Sequence, residues 1–171
     1  MSSIAAVIEQ MKEQWTEPKY PVSKDGSWEP FLLSCSFYTA TTSTKATFRK
    51  KITIPKDLQI FWTLYDSAEL FRDITYGQWG LDILSIEDAI AYSKRGRIDR
   101  PSAFKNTDLT IGSFRGDSDL LMINCNEHAN NYGQITVVLP IDDRPDWYVV
   151  ADSLSEFLEL YAKCNGEKFW A

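Results

Sequence analysis

The fold is decided by residues 109–140, which read LTIGSFRGDSDLLMINCNEHANNYGQITVVLP. Three short runs rich in apolar and β-branched residues, at 109–114, 120–125 and 134–140, are separated by clusters of Gly, Asp, Asn and Ser. Runs of this kind, bounded by turn residues, are typical of successive β-strands. The first and third runs alternate between apolar and polar residues, whereas residues 120–123 are all apolar, as in a central strand covered on both faces. We therefore predict an antiparallel meander with residues 120–123 at its centre.

Helical patterns flank this meander on both sides. The clearest begins at Ser153, which forms a capping box with Glu156 three residues later, and ends at Gly166. The chain has 171 residues, enough for one domain with a sizeable core. We predict an α+β fold, a single domain with a mainly antiparallel sheet and helices packed against it. The other predicted helices cover 3–15, 54–65 and 85–97, and the other predicted strands cover 69–75, 79–84 and 147–151.

The net charge of −6 lies entirely in the second part of the chain. Residues 1–100 carry 13 Lys and Arg against 13 Asp and Glu, whereas residues 101–171 carry 5 against 11. This balance argues against nucleic-acid binding by the meander, because phosphate contacts need cations. The basic run Arg49-Lys50-Lys51 is interpreted as a solvated helix end rather than a nucleic-acid patch. An acidic surface either attracts a basic protein or merely keeps the chain in solution.

Cysteine usage and the absence of targeting signals predict a cytoplasmic protein. The three cysteines Cys35, Cys125 and Cys164 form no C-x-x-C pair, and the N-terminus lacks a signal-peptide pattern. Both observations favour reduced thiols. No apolar run approaches the length of a membrane span, so no membrane association is expected.

A search for catalytic motifs predicts no enzyme, no cofactor and no metal site. His128 is the only histidine, which excludes metal sites built from two or three histidines. Cys125 lies three residues before it but ends an apolar strand, so a buried, inert thiol is favoured over a Cys-His nucleophile. Asp117-Ser118-Asp119 is interpreted as a turn rather than a calcium loop, because residues 120–123 supply no further ligands.

Four pieces of the sequence, in this order and spacing, resemble the SUKH superfamily, which includes a fungal cell-wall-assembly regulator and many bacterial immunity proteins. The resemblance covers residues 42–161, preceded by a divergent N-terminal part, 1–41, with a helix and an aromatic insert at 19–38. The whole chain, 1–171, is thus predicted to be one SUKH-like domain. The four pieces are IPKDL at 54–58 with Phe61, WGLDILSIED at 79–88, LTIG at 109–112 with Gly116-Asp117 and residues 120–123, and VADSLSEFL at 150–158.

The resemblance implies a protein-binding immunity protein that neutralises a cognate toxin, a nuclease being one candidate, by masking its active face. The alternative is a regulatory scaffold in cell-wall or stress signalling. The partner is expected to be basic, and the chain itself a monomer or a weak homodimer. Trp79 and Trp147 are candidates for a desolvated contact, with core packing as the alternative for each ring. The residues expected to attract and pair with the toxin are Asp117, Asp119, Asp142, Asp143 and Asp146.

Overall fold

A seven-stranded antiparallel sheet, with its strands in chain order, forms the centre of the structure. The computed structural model describes residues 2–22, 25–26, 31–41 and 53–171. Within these residues the helices are α1 (Ile4–Trp15), α2 (Lys56–Leu64), α3 (Ile86–Asp99) and α4 (Leu154–Lys163). The strands are β1 (Leu33–Thr39), β2 (Tyr65–Asp73), β3 (Leu81–Ile83), β4 (Asp108–Phe114), β5 (Leu120–Asn124), β6 (Ile135–Val138) and β7 (Tyr148–Ala151). The predicted α+β class is confirmed. The basic run at 49–51, Trp28 and the Thr-rich residues 42–47 lie outside the described residues.

The predicted meander is confirmed as β4, β5 and β6. In the central strand β5, Leu121 pairs with Gly112 of β4 and with Val137 of β6. Leu121 and Ile123 are fully buried in the main core, and Met122, which points to the opposite face, is buried in a second, smaller cluster. The expectation that both faces of this strand are covered is therefore confirmed.

The main core lies between the sheet and the helices. Helices α1, α2 and α4 bury their apolar stripes against the face of the sheet that carries Leu121 and Ile123. We call this the inner face and the opposite one the outer face. Helix α3 packs along β4, where the Thr110 backbone N–H donates to Ser93 Oγ at 2.8 Å. The outer face is covered further by the smaller cluster of Ala103, Phe104, Met122, Val138 and Trp147.

Three helices begin where their capping residues predict. The hydroxyls of Ser3, Ser85 and Ser153 each accept a hydrogen bond from the backbone N–H three residues later, at 3.1–3.2 Å. Each such bond satisfies a donor that the helix itself leaves unpaired. At α4, the Glu156 carboxylate also accepts from the backbone N–H of Asp152, at 2.6 Å.

The boundary between α2 and β2 differs from the prediction. The helix ends at Leu64, and β2 begins at Tyr65 rather than at residue 69. Tyr65 has extended backbone angles and pairs with Thr39 of β1. Its ring nevertheless lies 5.8 Å from that of Phe61, so it belongs to the same apolar group that suggested a longer helix. Pairing with a strand distant in sequence overrides the local periodicity here. The strand predicted at 79–84 is also shorter, Leu81–Ile83.

The glycines of the meander are explained by close backbone approaches. Gly116, between β4 and β5, has a φ of +86°, and a Cβ there would lie 2.2 Å from the carbonyl oxygen of Gln78. At Gly112 a Cβ would lie 2.9 Å from Leu121 Cβ. Both positions therefore require glycine, the first for its backbone conformation and its space and the second for space alone.

Candidate protein-binding surface

The topology brings the predicted site residues to one end of the sheet. Because all neighbouring strands are antiparallel, the connections after β2, β4 and β6 leave the sheet at the same end. The first connection carries Trp79, the second is the loop 115–119, and the third is the segment 139–147, which we call the acidic connection. All seven side chains predicted to bind a partner belong to these three connections.

The loop 115–119 has most of its charge paired within the molecule. Lys168, which follows α4, donates to carboxylate oxygens of both Asp117 and Asp119, the latter at 2.8 Å. Arg115 turns the other way and pairs with Glu69 at 2.8 Å and Asp82 at 3.0 Å. Partial burial lowers the pKa of Lys168, but its two carboxylate partners raise it by more, so the ammonium stays charged. This loop therefore offers little free charge to a partner.

The acidic connection folds back over the outer face and is held there by two arginines. The Arg100 guanidinium donates to the carbonyl oxygens of Leu139, at 2.9 Å, and Asp142. Arg144 donates to Ala103 O at 2.8 Å and to both carboxylate oxygens of Asp108, whose side chain is only 2% exposed. Both cations of this region are thus committed to internal partners.

Three carboxylates of the acidic connection remain without a partner among the described residues. Asp143 and Asp146 are exposed and Asp142 is half-buried, and none of the three side chains forms a hydrogen bond or ion pair within that part of the chain. Arg144 is paired with Asp108, and the Arg100 guanidinium beside the Asp142 carbonyl offsets only part of the three negative charges. The acidic connection is therefore a fixed segment with uncompensated negative charge.

The two tryptophans lie in different environments. Trp147 is 6% exposed in the outer-face cluster, and its indole N–H donates to Asp142 O at 3.0 Å. The guanidinium groups of Arg100 and Arg144 lie 5.4 and 5.5 Å from its ring centre. This burial matches the core-packing alternative for Trp147. Trp79 is half-buried against the main core beside Lys168, and partner contact by this ring stays a prediction.

A groove beside the acidic connection contains residues that the sequence analysis missed. It has a volume of about 560 Å³ and runs between α3 and the ends of β5 and β6. Ser118 of the loop 115–119 and Pro140 of the acidic connection both line it. Next to Pro140, Ile141 is 91% exposed. The sequence feature that could have indicated this site is Ile141, an isolated apolar residue in a turn between Pro140 and two aspartates.

Cys125 and His128 line a separate cavity of about 350 Å³ but have contrasting exposure. Burial, together with the Asp108 carboxylate, raises the pKa of the Cys125 thiol to about 12, while the His128 side chain is 88% exposed. A thiol with such a pKa is protonated at neutral pH and is a poor nucleophile. No three His, Cys, Asp or Glu side chains of the described residues converge as metal ligands would.

The thiols are expected to react in two classes. Burial also raises the pKa of Cys35 to about 12, so at pH 8 roughly one in ten thousand of either buried thiol is ionised, whereas Cys164 is only half-buried and accessible to a reagent. Ellman's reagent should therefore modify about one thiol per chain rapidly in the native protein and all three cysteines in guanidinium chloride. Cys164→Ser should remove the rapid phase, and two rapidly reacting thiols would contradict the burial of Cys35 and Cys125.

Comparisons with known proteins give a family match and a relative. The sequence model described as the SMI1 / KNR4 family (SUKH-1) matches residues 44–160. The uncharacterized protein YobM of Bacillus subtilis (strain 168) is 24% identical over 152 residues, which cover 85% of this chain and 78% of that protein. In the part of the chain that the structure describes, none of the helices has the length and apolar character needed to span a membrane.

Proposed function

Because the chain belongs to the SMI1 / KNR4 family (SUKH-1), we propose that it is an immunity protein that binds a cognate toxin in the cytoplasm and masks its active face. The family includes toxin-immunity proteins, and the motifs at 54–58, 79–88, 109–123 and 150–158 fall within the matched residues. Masking requires surface complementarity and no chemistry from the immunity protein itself. The proposed assembly is one immunity protein on one toxin.

The observation that carries this proposal is the uncompensated charge of the acidic connection. Asp142, Asp143 and Asp146 present three carboxylates on a segment that Arg100 and Arg144 hold in place. A fixed cluster of like charge attracts a basic surface over several ångströms and speeds encounter with it. A toxin that acts on nucleic acid needs such a basic surface to hold phosphates. Covering that surface would exclude the substrate, so a nuclease is the toxin class we favour.

The first test is protection of cells. Each toxin candidate encoded in a reading frame next to the gene of this chain is expressed in cells with and without the chain. The proposal expects one candidate to be lethal alone and harmless together with the chain, and to bind the purified chain one to one. Toxicity unchanged for every candidate would contradict the immunity role.

The second test is the association rate with the toxin found in this way. Changing Asp142, Asp143 and Asp146 together to Asn should lower the association rate at low salt roughly tenfold, with a smaller change in dissociation. The difference should shrink in 1 M salt, where the screening length is about 3 Å. Stopped-flow fluorescence measures both rates.

The matched control removes the same number of charges from another surface. Changing the exposed Glu9, Glu13 and Glu17 to Gln neutralises three carboxylates in and just after α1, which packs on the inner face of the sheet. This variant should associate at nearly the parent rate. A parent rate that ignores salt, or an equal loss in both triple variants, would mean that the acidic connection is an ordinary solvated surface.

A further inference from the structure

The groove beside the acidic connection has a mainly apolar lining, with Arg95, Asp99, Arg100 and Ser118 as its polar residues. Its deeper part is formed by Phe104 and Val138, both buried, and by the half-buried Leu120. Tyr92 of α3 and Pro140 form opposite sides. A volume of about 560 Å³ lies within the range of pockets that hold compact ligands or large side chains.

Gly96 keeps the helical side of the groove open. It lies inside α3, where glycine costs about 1 kcal/mol relative to alanine. A Cβ at this position would lie 3.2 Å from the Phe104 ring. The missing side chain therefore lets the helix backbone approach the Phe104 ring directly.

The free charge around the groove is negative on one side. On the α3 side, Arg95 pairs with Asp99 at 2.7 Å, and Arg100 keeps its positive charge but donates to the carbonyl oxygens of Leu139 and Asp142, so the three carboxylates of the acidic connection outnumber it. On the other side, the carboxylates of the acidic connection have no partner among the described residues. A cation next to a bound apolar group would therefore meet unpaired carboxylates on the side of the acidic connection.

We infer that this groove receives one large apolar side chain of a partner protein, flanked in that protein by Lys or Arg residues that face the acidic connection. The inference rests on the proposed function in that the partner is the toxin. Buried apolar contacts surrounded by a charged rim are the usual centre of protein interfaces. The groove supplies the desolvated contact that slows dissociation, and the acidic connection supplies the charge that speeds association. Ile141, exposed and next in the chain to the groove residue Pro140, adds apolar surface beside this contact.

The test uses defined peptides and therefore does not require the toxin. The ¹⁵N-labelled protein is titrated with acetyl-Lys-Trp-Lys-amide, and with the Lys-Ala-Lys and Glu-Trp-Glu peptides as controls. The largest changes in backbone amide chemical shift are expected at Tyr92, Gly96, Phe104 and Leu120. Binding of the Lys-Trp-Lys peptide should be at least about tenfold tighter than binding of either control, because each control lacks one of the two contacts.

A blocking variant keeps the inference falsifiable. Ala91 is exposed on α3 and lines the groove, so Ala91→Trp should fill the groove without disturbing the core. Ala5→Trp makes the same change at an exposed position of α1 and is the matched control. Ala91→Trp should abolish the changes in amide chemical shift that the Lys-Trp-Lys peptide causes. It should also raise the dissociation rate of the toxin at least about tenfold, with the association rate nearly unchanged. Ala5→Trp should change neither.

The outcomes separate this inference from the proposed function. Peptide binding in the groove without any protective toxin pair would overturn the immunity role alone. The inference alone would be overturned if the chain protected cells from a toxin but the peptide caused no changes in amide chemical shift. Equal changes with the Glu-Trp-Glu peptide would overturn it as well. A concentration-dependent dimer of the parent that Ala91→Trp abolishes would show that a second copy occupies the groove, which also overturns it.

Discussion

Truncating Leu121 to alanine is expected to lower the free energy of unfolding by about 2–5 kcal/mol. Leu121 is fully buried at the centre of β5, between β4 and β6, and its Cβ lies against Gly112. Removing its side chain loses apolar burial and leaves a cavity that two paired neighbouring strands cannot close. Ile123, fully buried on the same face, should show a loss in the same range. Urea denaturation followed by fluorescence measures the difference.

Met122 tests the opposite face of the same strand. It is buried in the outer-face cluster with Phe104 and Trp147, so Met122→Ala is also expected to cost about 2–5 kcal/mol. Ile98→Ala is the control, because this side chain is exposed on α3 and its loss should stay within about 0.5 kcal/mol. If β5 variants and Ile98→Ala proved equally stable, β5 would not be the structural centre of the protein.

Changing Arg144 to alanine is expected to lower the free energy of unfolding by about 2–3 kcal/mol. The change leaves the buried Asp108 carboxylate without its cation. Removing one partner of a fully buried ion pair lowers the free energy of unfolding by about 3–5 kcal/mol. We place the loss below that range because the Arg144 side chain is 30% exposed and water can partly replace it. Asp108 also keeps its hydrogen bond from the Lys105 backbone N–H, at 2.7 Å. Urea denaturation measures this loss as well.

The Arg144 prediction has a matched control in α3. Arg95 pairs with Asp99 in the same kind of arginine–carboxylate contact, but both side chains are largely exposed, so Arg95→Ala should leave the free energy of unfolding nearly unchanged. The double variant Arg144→Ala/Asp108→Asn should be more stable than Arg144→Ala, since it no longer buries an unpaired charge. Equal losses in Arg144→Ala and Arg95→Ala would mean that the Arg144–Asp108 pair does not hold the acidic connection.

The local features of the fold were predictable from the sequence because they depend on neighbouring residues. Strand runs separated by turn residues predicted the meander, and the capping box of Ser153 and Glu156 predicted the start of α4. The all-apolar run at 120–123 predicted a strand covered on both faces. The start of β2 at Tyr65 was not predictable in this way, because it depends on pairing with Thr39 of β1.

The sequence by itself determined the class of fold, the central strand, the family resemblance and the location of the excess negative charge. Only the tertiary structure decided which of these charges are free. Lys168 pairs with Asp117 and Asp119 from about 50 positions away, and Arg144 turns inward to Asp108. The groove likewise combines α3 with the ends of β5 and β6, which are neighbours only in space. Charged and apolar residues can be counted from the sequence, but their partners cannot be read from it, because pairing and exposure depend on contacts between distant segments.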